Sequence, residues 1–388
     1  MKKKIALLGS TGSLGKILCN YIFKNLNKYD VKLLMANKNS SQLLSQAKKL
    51  KAKNVIIHNK AIFKKLSNQK LGFNIFNSID DFQKKNYGKI FDYSLAAISG
   101  LNGLEPTFKI IKNTKVIAIA NKESIICAWN LIYNELKKFN TQFIPVDSEH
   151  FSVWFSMRNN NTKIKKIYLT ASGGPFLNNK SKNNNNFTLS KALKHPNWKM
   201  GNKITIDSAT MMNKVFEIIE AKNIFNISYK DLSILTHPKS YIHSIICYQN
   251  GLFDIIGHET SMKIPLINSL NFNENFKINT TSLNLKKLNN LDLNLVNKKK
   301  FPTVKIINNL PNNLSLFETL LVAVNDKLVD LFLKKEITYN DLCNKLLKII
   351  NLKKFRRFKK IQPKKIDEII NLSTYININF KNLMYKKS

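Results

Sequence analysis

The chain contains little cysteine, proline and glycine, and each scarcity narrows what it can be. Its 388 residues include 4 cysteines, 9 prolines and 12 glycines. Cys19, Cys127, Cys247 and Cys343 are scattered through apolar segments, and their spacing fits neither a zinc site nor a redox pair. No run approaches the ~20 uninterrupted apolar residues of a membrane-spanning helix. We therefore expect reduced core cysteines and no membrane segment.

Acidic residues are scarce too, with 24 against 63 lysines and arginines, which gives a formal net charge of +39. Such a charge is typical of proteins that bind nucleic acid or anionic membranes. Arginine, the favoured side chain for phosphates and bases, occurs only at Arg158, Arg356 and Arg357. The lysines are spread along the whole chain among many Asn and Ile residues. This composition is explained better by a genome biased towards A and T than by selection for nucleic-acid binding. Nucleic-acid binding remains a competing hypothesis that requires a localised basic patch.

The length and the 44% hydrophobic content predict a globular protein with two or three domains. The first ten residues lead straight into a strand-like run rather than a signal peptide. We therefore expect a cytoplasmic location.

Short apolar runs alternate with helical patterns in the first part of the chain, which is typical of a parallel sheet with crossover helices. These runs lie at 5–8, 31–36, 54–58, 93–98, 116–120 and 143–146. The fold class is therefore α/β, with a Rossmann-like domain over residues 1–146.

The pattern changes after residue 146. A strand at 167–170, a helix-like run at 208–225 and a hairpin turning at Asn250-Gly251 predict an α+β domain over 147–272. Residues 273–300 have weak periodicity and predict a linker, and residues 301–388 predict a helical domain with helices between about 314 and 375. Residues 183–186 are all Asn and predict a loop tip.

The run GSTGSLG at 9–15 follows the first strand and opens a helix, where a dinucleotide phosphate would bind. Its spacing differs from GxGxxG, so a tight strand-to-helix turn is the alternative. After the second strand, Asn37, Lys38, Asn39 and Ser40 stand where an NAD enzyme would place an acid. Lys38 would accept a 2′-phosphate, which favours NADP.

Two carboxylates follow the last strand of the first domain, in the run PVDSEH at 145–150. In a locally extended segment Asp147 and Glu149 would share a face and offer hard oxygen ligands to Mg²⁺ or Mn²⁺. The alternative is a solvated loop.

The run DSATMMNKVFEIIEA at 207–221 predicts a helix capped by Ser208. Asn213 and Glu217 would share one face of that helix, with Lys214 beside them. Ser, Asn and Lys near a helix start suit a phosphate, and Glu217 suits a metal. A capped amphipathic helix without such a role is the alternative.

Two more runs, TASGGPF at 170–176 and HPNWKMG at 195–201, concentrate the scarce glycine and proline. The double glycine after Ser172 permits close approach to an anion, and Trp198 between a turn and a glycine suggests a mobile lid. A lone Trp is more often a core residue, which is the alternative.

These runs, together with ANKES at 120–124 and in this order, resemble the 1-deoxy-D-xylulose 5-phosphate reductoisomerase family. The resemblance is strong over residues 4–265 and weaker in the helical tail. It implies an NADPH-binding domain, a catalytic and dimerisation domain, and a C-terminal helical domain. The implied reaction rearranges 1-deoxy-D-xylulose 5-phosphate and reduces it to 2-C-methyl-D-erythritol 4-phosphate, in the non-mevalonate route to isoprenoid precursors.

The resemblance also implies a role for particular residues. The metal ligands would be Asp147, Glu149 and Glu217, with Lys122 as their electrostatic partner. Ser172, Ser208, Asn213 and Lys214 would hold the substrate phosphate, Ser148 would touch the substrate, and His195, Trp198 and Met200 would belong to a loop closing over it. The cofactor would contact Thr11, Gly12, Ser13, Leu14, Asn37, Lys38, Asn39, Asn121, Lys122, Glu123 and Gly201.

A homodimer is expected from the resemblance alone. Besides nucleic-acid binding, two hypotheses compete with the reductoisomerase. One is another NADP-dependent reductase on the same scaffold, which would not need the three carboxylates. The other is a drifted chain that folds but turns over slowly, against which the intact polar runs count.

Overall fold

The computed structural model describes residues 1–158, 160–177 and 187–385. The predicted loop tip at 183–186 lies outside these residues. The chain divides into two compact units. The first unit comprises residues 1–124, 130–151 and 262–279, and the second comprises 125–129, 152–261 and 280–388. Among the helices of the described ranges, none is long and apolar enough to cross a membrane.

A seven-stranded sheet of parallel strands forms the centre of the first unit, in the order β4-β3-β2-β1-β5-β6-β7. Its strands are β1 Lys3–Leu8, β2 Tyr29–Ala36, β3 Asn54–Ile57, β4 Asn74–Phe76, β5 Phe91–Ala96, β6 Thr114–Ile119 and β7 Gln142–Pro145. The six predicted strands are confirmed. The sequence reasoning missed β4, an edge strand of three residues that is too short to show a period.

The helices of the first unit are α1 Ser13–Phe23, α2 Ser40–Leu50, α3 Lys60–Ser67, α4 Ile79–Lys85, α5 Leu104–Ile110 and α11 Lys263–Leu270. Helix α6 Lys122–Lys138 belongs to this unit except for residues 125–129. Helix α7 Ser148–Arg158 begins in this unit, and its residues from 152 onwards belong to the second. The strands are continuous apolar runs because both faces of a parallel sheet are covered. Ile5, Leu7, Leu34 and Val55 are completely buried in the resulting core.

The second unit contains a mixed five-stranded sheet in the order β11-β10-β8-β9-β12. Its strands are β8 Ile164–Ala171, β9 Leu232–Thr236, β10 Ile242–Tyr248, β11 Phe253–Gly257 and β12 Asn294–Leu295. Strands β10 and β11 are antiparallel, which confirms the hairpin at Asn250-Gly251. Residues 273–300, expected as a linker, contain β12 and the short helix α12 Leu285–Leu288, and β12 pairs with β9.

The single helix predicted over 208–225 is wrong, because the structure has α9 Asn202–Ala209 and α10 Met212–Phe225. Ser208 therefore lies near the end of α9 and does not cap α10. Between the helices the Thr210 hydroxyl donates to the Ile206 carbonyl oxygen at 3.0 Å, a back-bond that bends helices. Met211 then has a left-handed φ of 63°, which ends the helical path.

The predicted C-terminal helices are confirmed as α13 Leu316–Leu333, α14 Tyr339–Ile350 and α15 Ile366–Tyr385, although α15 extends beyond the predicted end near residue 375. The second unit also contains the short helix α8 Leu189–Ala192. Ser315 and Glu318 form a capping box at the start of α13. The Asn325 side chain of α13 donates to Asp207 of α9 at 2.7 Å. The helical tail therefore packs against the helix that carries Ser208.

Candidate active site

A glycine-rich turn connects β1 to α1. Gly9 has a left-handed φ of +86°, and a Cβ there would lie 2.6 Å from the Ala97 carbonyl oxygen. A Cβ on Gly15 would collide with the Gly9 carbonyl oxygen, so neither position accepts a side chain. Gly12 precedes α1, and no side chain of the described residues caps this helix. Its first backbone N–H groups are therefore suited to an anionic ligand.

The residues expected at the cofactor lie where β1 and β2 end. Residues 11–14 form the turn and the first positions of α1, and residues 37–39 are exposed after β2. Strands β1 and β2 are parallel neighbours, so both groups lie at the carboxyl ends of the strands, where open α/β sheets bind ligands. Asn39 also caps α2, because its side-chain oxygen accepts the Gln42 N–H at 3.3 Å.

A third expected group opens α6. The buried Asn121 caps this helix by accepting the Ser124 N–H at 2.7 Å, and its Nδ2 lies 3.4 Å from the Glu123 carboxylate. Lys122 Nζ donates to Asp147 Oδ2 at 2.9 Å. Asn121 therefore orders the turn, and Lys122 places a positive charge beside an expected metal ligand.

The two acids of the PVDSEH run meet at a helix start. The prediction of an extended segment is wrong, because α7 begins at Ser148 and the Phe151 N–H donates to the Asp147 carbonyl oxygen at 2.8 Å. A helix N-terminus favours carboxylates, which agrees with Glu149 in the first turn. Carboxylate oxygens of Asp147 and Glu149 nevertheless lie within 4.8 Å of each other. The Ser148 hydroxyl donates to Glu149 Oε2 at 2.5 Å.

In the second unit the structure brings Ser172 and His195 together. His195 Nδ1 accepts the backbone N–H of Trp198 at 2.9 Å, so the ring proton must be on Nε2. His195 Nε2 then donates to Ser172 Oγ at 2.9 Å, and the Gly174 N–H donates to the same oxygen at 3.1 Å. Burial lowers the pKa of His195 to about 4, so the ring is neutral at pH 7. With both lone pairs occupied, the Ser172 hydroxyl has its own proton to donate to an anion.

Three expected residues of α10 form one hydrogen-bonded group. Asn213 Nδ2 donates to Glu217 Oε1 at 2.5 Å, which confirms that these residues share a helix face. Lys214 Nζ donates to Glu217 Oε2 at 2.5 Å and to the Thr170 carbonyl oxygen at 2.6 Å. Lys214 and Glu217 are buried, and a buried ion pair requires such additional partners.

The remaining expected residues lie in α9 or directly before it. Gly174 has a left-handed φ of +64°, and a Cβ there would lie 3.0 Å from the Ser208 carbonyl oxygen. The turn that carries Ser172 is therefore packed against the helix end that carries Ser208. Gly201 immediately precedes α9, and the half-buried Met200 lies before it.

Sequence reasoning missed two residues inside the runs that it singled out. His150 is completely buried, and its Nδ1 lies 3.8 Å from Asp147 Oδ2. Asn197 donates through Nδ2 to the Pro238 carbonyl oxygen at 2.5 Å and to Ser240 Oγ at 2.8 Å. The signal that the sequence offered for His150 and Asn197 was their position within the runs PVDSEH and HPNWKMG.

Three family models match most of the chain, and all three describe the family that the sequence motifs resemble. The 1-deoxy-D-xylulose 5-phosphate reductoisomerase model matches residues 5–129. The models of the C-terminal domains of this enzyme match residues 143–225 and 258–377.

Individual proteins resemble the chain over almost its full length. The 1-deoxy-D-xylulose 5-phosphate reductoisomerase of Pelagibacter ubique is 52% identical over 98% of this chain and 99% of its own. The solved structure of the Zymomonas mobilis enzyme in complex with NADPH has 28% identity and a TM-score of 0.87, and covers 100% of both chains. A DOX-P reductoisomerase in complex with NADPH, fosmidomycin and magnesium has 27% identity and a TM-score of 0.88 over 98% of each chain.

Proposed function

Because the chain belongs to the 1-deoxy-D-xylulose 5-phosphate reductoisomerase family, we propose that it converts 1-deoxy-D-xylulose 5-phosphate to 2-C-methyl-D-erythritol 4-phosphate with NADPH and a divalent metal ion. The observation that carries this is the 52% identity to a reductoisomerase over 98% of the chain. The solved relatives that bind NADPH and magnesium support both cofactors.

The metal ligands that we propose are Asp147, Glu149 and Glu217. Carboxylate oxygens are the donors that Mg²⁺ and Mn²⁺ prefer, and the proximity of the first two acids supports the assignment. When bound, the ion supplies Lewis-acid polarisation of the substrate oxygens, and NADPH supplies the hydride. Lys122, which donates to Asp147, would orient this carboxylate towards the ion.

The substrate phosphate would be held by Ser172, Ser208, Asn213 and Lys214. The Ser172 proton is directed away from its two hydrogen-bond donors, which supports a bond to a phosphate oxygen. Lys214 brings a positive charge to the same unit. Ser148 would contact the substrate, and the segment with His195, Trp198 and Met200 would close over it and exclude water.

The dinucleotide would bind at the glycine-rich turn between β1 and α1. The uncapped start of α1 supports a pyrophosphate there, and the exposed Lys38 after β2 supports the 2′-phosphate of NADPH. Asn37, Asn39, Asn121, Glu123 and Gly201 complete the set of cofactor residues that we propose. Residues 1–146 would be the cofactor domain, 147–272 the catalytic and dimerisation domain, 273–300 a linker and 301–388 the helical domain.

We also propose a homodimer that forms through the edge strand β11. Leu252, Phe253 and Ile255 on or beside this strand are 65%, 61% and 41% exposed. Between Lys239 and Lys263 the sequence contains no Lys or Arg, although it has 63 such residues in total. Edge strands with exposed apolar residues pair readily with another chain, and a two-fold axis would bring β11 against itself.

Product identification tests the proposed reaction. Purified protein incubated with NADPH, magnesium and 1-deoxy-D-xylulose 5-phosphate should form 2-C-methyl-D-erythritol 4-phosphate, seen by ³¹P NMR and mass spectrometry. A simple reductase would instead yield the unrearranged reduced sugar phosphate, and that product would contradict the proposal.

A cytoplasmic location is also proposed, and fractionation of the source cells tests it.

A further inference from the structure

Asn197 joins the loop after α8 to the turn between β9 and β10. Its Nδ2 donates to the Pro238 carbonyl oxygen at 2.5 Å and to Ser240 Oγ at 2.8 Å. The turn is itself tied to the end of β8, because the His237 N–H donates to the Ala171 carbonyl oxygen at 2.6 Å. The side chain of Asn197 therefore fixes the loop to the end of β8, which Ser172 directly follows.

The backbone of the same residue contacts His195. The N–H groups of Asn197 and Trp198 lie 3.2 Å and 2.9 Å from His195 Nδ1 and donate to it. Two donors on Nδ1 exclude a proton from this nitrogen, so the proton is on Nε2. The Nε2–H then donates to Ser172 Oγ. The orientation of the Ser172 hydroxyl thus depends on where the backbone at residues 197 and 198 is held.

We propose that Asn197 is a positioning residue: its carboxamide holds the backbone that fixes the His195 tautomer, which in turn directs the Ser172 hydroxyl towards a phosphate. The inference rests on the proposed function, which assigns Ser172 to the substrate phosphate. Asn197 carries no charge and acts through His195, so its removal should change the geometry of phosphate binding rather than the chemistry.

Only three residues separate Asn197 from Gly201, which is also held in place, so fixing Asn197 restricts the backbone of the segment between them. The Gly201 carbonyl oxygen accepts the Thr205 N–H at 3.0 Å and the Thr205 hydroxyl at 2.9 Å. Residues 198–200 therefore lie between two anchors, Asn197 and Gly201. A loop closed over so few residues has little freedom, so losing one anchor should broaden the range of His195 positions.

The first test compares Asn197→Ala with Asn313→Ala, which changes an exposed Asn elsewhere in the second unit. Loss of one or two hydrogen bonds should raise KM for the sugar phosphate about tenfold, while kcat and NADPH affinity stay within about twofold of wild type. Asn313→Ala should leave all three values unchanged. If Asn197→Ala folds poorly, Ser240→Ala removes one of the two acceptors and should raise KM in the same direction by a smaller factor.

The second test reads the imidazole directly. A long-range ¹H–¹⁵N NMR spectrum, with the His195 signal assigned through His195→Gln, should show the Nε2–H form in the wild type and in Asn313→Ala. Asn197→Ala should show both tautomers. A wild-type KM together with an unchanged His195 spectrum would overturn the inference. If the wild type does not convert the substrate, the proposed function fails, and the tautomer comparison alone decides the role of Asn197.

Discussion

Lys214 is a buried cation that donates hydrogen bonds to Glu217 of α10 and to the Thr170 carbonyl oxygen near the end of β8. We predict that Lys214→Ala chiefly raises KM for the sugar phosphate, by about tenfold to a hundredfold, because a charge-assisted contact far from the reacting bonds is lost. Steady-state kinetics test this. Lys214→Gln, which retains a donor beside Glu217, is the companion variant in case the unpaired buried carboxylate destabilises the fold. An unchanged KM in a folded variant would remove Lys214 from the phosphate site.

Substitution of Glu149 tests the assignment of the metal ligands. Glu149→Gln retains shape but removes a negative charge, so activity should fall at least ~100-fold while NADPH still binds. Calorimetric titration with NADPH separates the two effects. Glu336→Gln, at an exposed position between α13 and α14, is the control and should keep wild-type activity. Full activity of Glu149→Gln would refute the carboxylate site.

Contacts between residues close in sequence were predictable, and those between distant residues were not. The spacing of four residues predicted that Asn213 and Glu217 meet, because it follows from the helical repeat. The hydrogen bond from His195 to Ser172 joins residues 23 positions apart, and that from Asn197 to Ser240 joins residues 43 positions apart. Such contacts depend on how separate elements pack, which no local pattern encodes.

Among the elements, α13 begins with a capping box whose acid is almost completely buried. Burial raises the pKa of Glu318 from 4.5 to about 7, although hydrogen bonds from Ser315 act in the opposite direction. The unfolded chain therefore loses the proton at lower pH than the folded protein does. Stability should be highest below pH 4.5 as far as this group is concerned, and should fall as pH rises towards 7.

The matching variant is Glu318→Gln, which stays neutral. Its midpoint of thermal unfolding, Tm, measured from pH 5 to pH 8, should fall less steeply with rising pH than that of the wild type. Comparing the two slopes cancels the contribution of the titratable groups that both proteins share. Identical slopes would show that the Glu318 carboxyl titrates normally in the folded protein.

The sequence pattern predicted the long periodic helices and strands, but it did not predict where such segments are interrupted. The buried strands of the first unit were found because a short apolar run bounded by polar turns is typical of a strand covered on both faces. The break between α9 and α10 was missed, since the apolar period continues across Thr210 and Met211 and only the backbone conformation interrupts it. Strands β4 and β12, with three and two residues, owe their pairing to neighbouring strands.

For the whole molecule, the lysine excess makes the lysine-free segment 240–262, which contains β11, the notable feature. We predict that Phe253→Lys converts a dimer to a monomer, because it places like charges at a two-fold contact. Sedimentation equilibrium measures the change. Ile378→Lys, which alters a 76% exposed apolar residue of α15, is the control and should leave the mass unchanged. A wild type that is monomeric at micromolar concentration would contradict the homodimer.

In the proposed enzyme, a metal site and a dinucleotide site act together on one substrate. NADPH absorbance should be followed with purified protein and 1-deoxy-D-xylulose 5-phosphate, first with Mg²⁺, then with a chelator, and then with Mg²⁺ restored. We expect NADPH oxidation that requires the substrate, stops when the chelator is added and resumes when Mg²⁺ is restored. The proposed function would be refuted if oxidation continued without metal, or if a folded sample with substrate, NADPH and Mg²⁺ showed no oxidation.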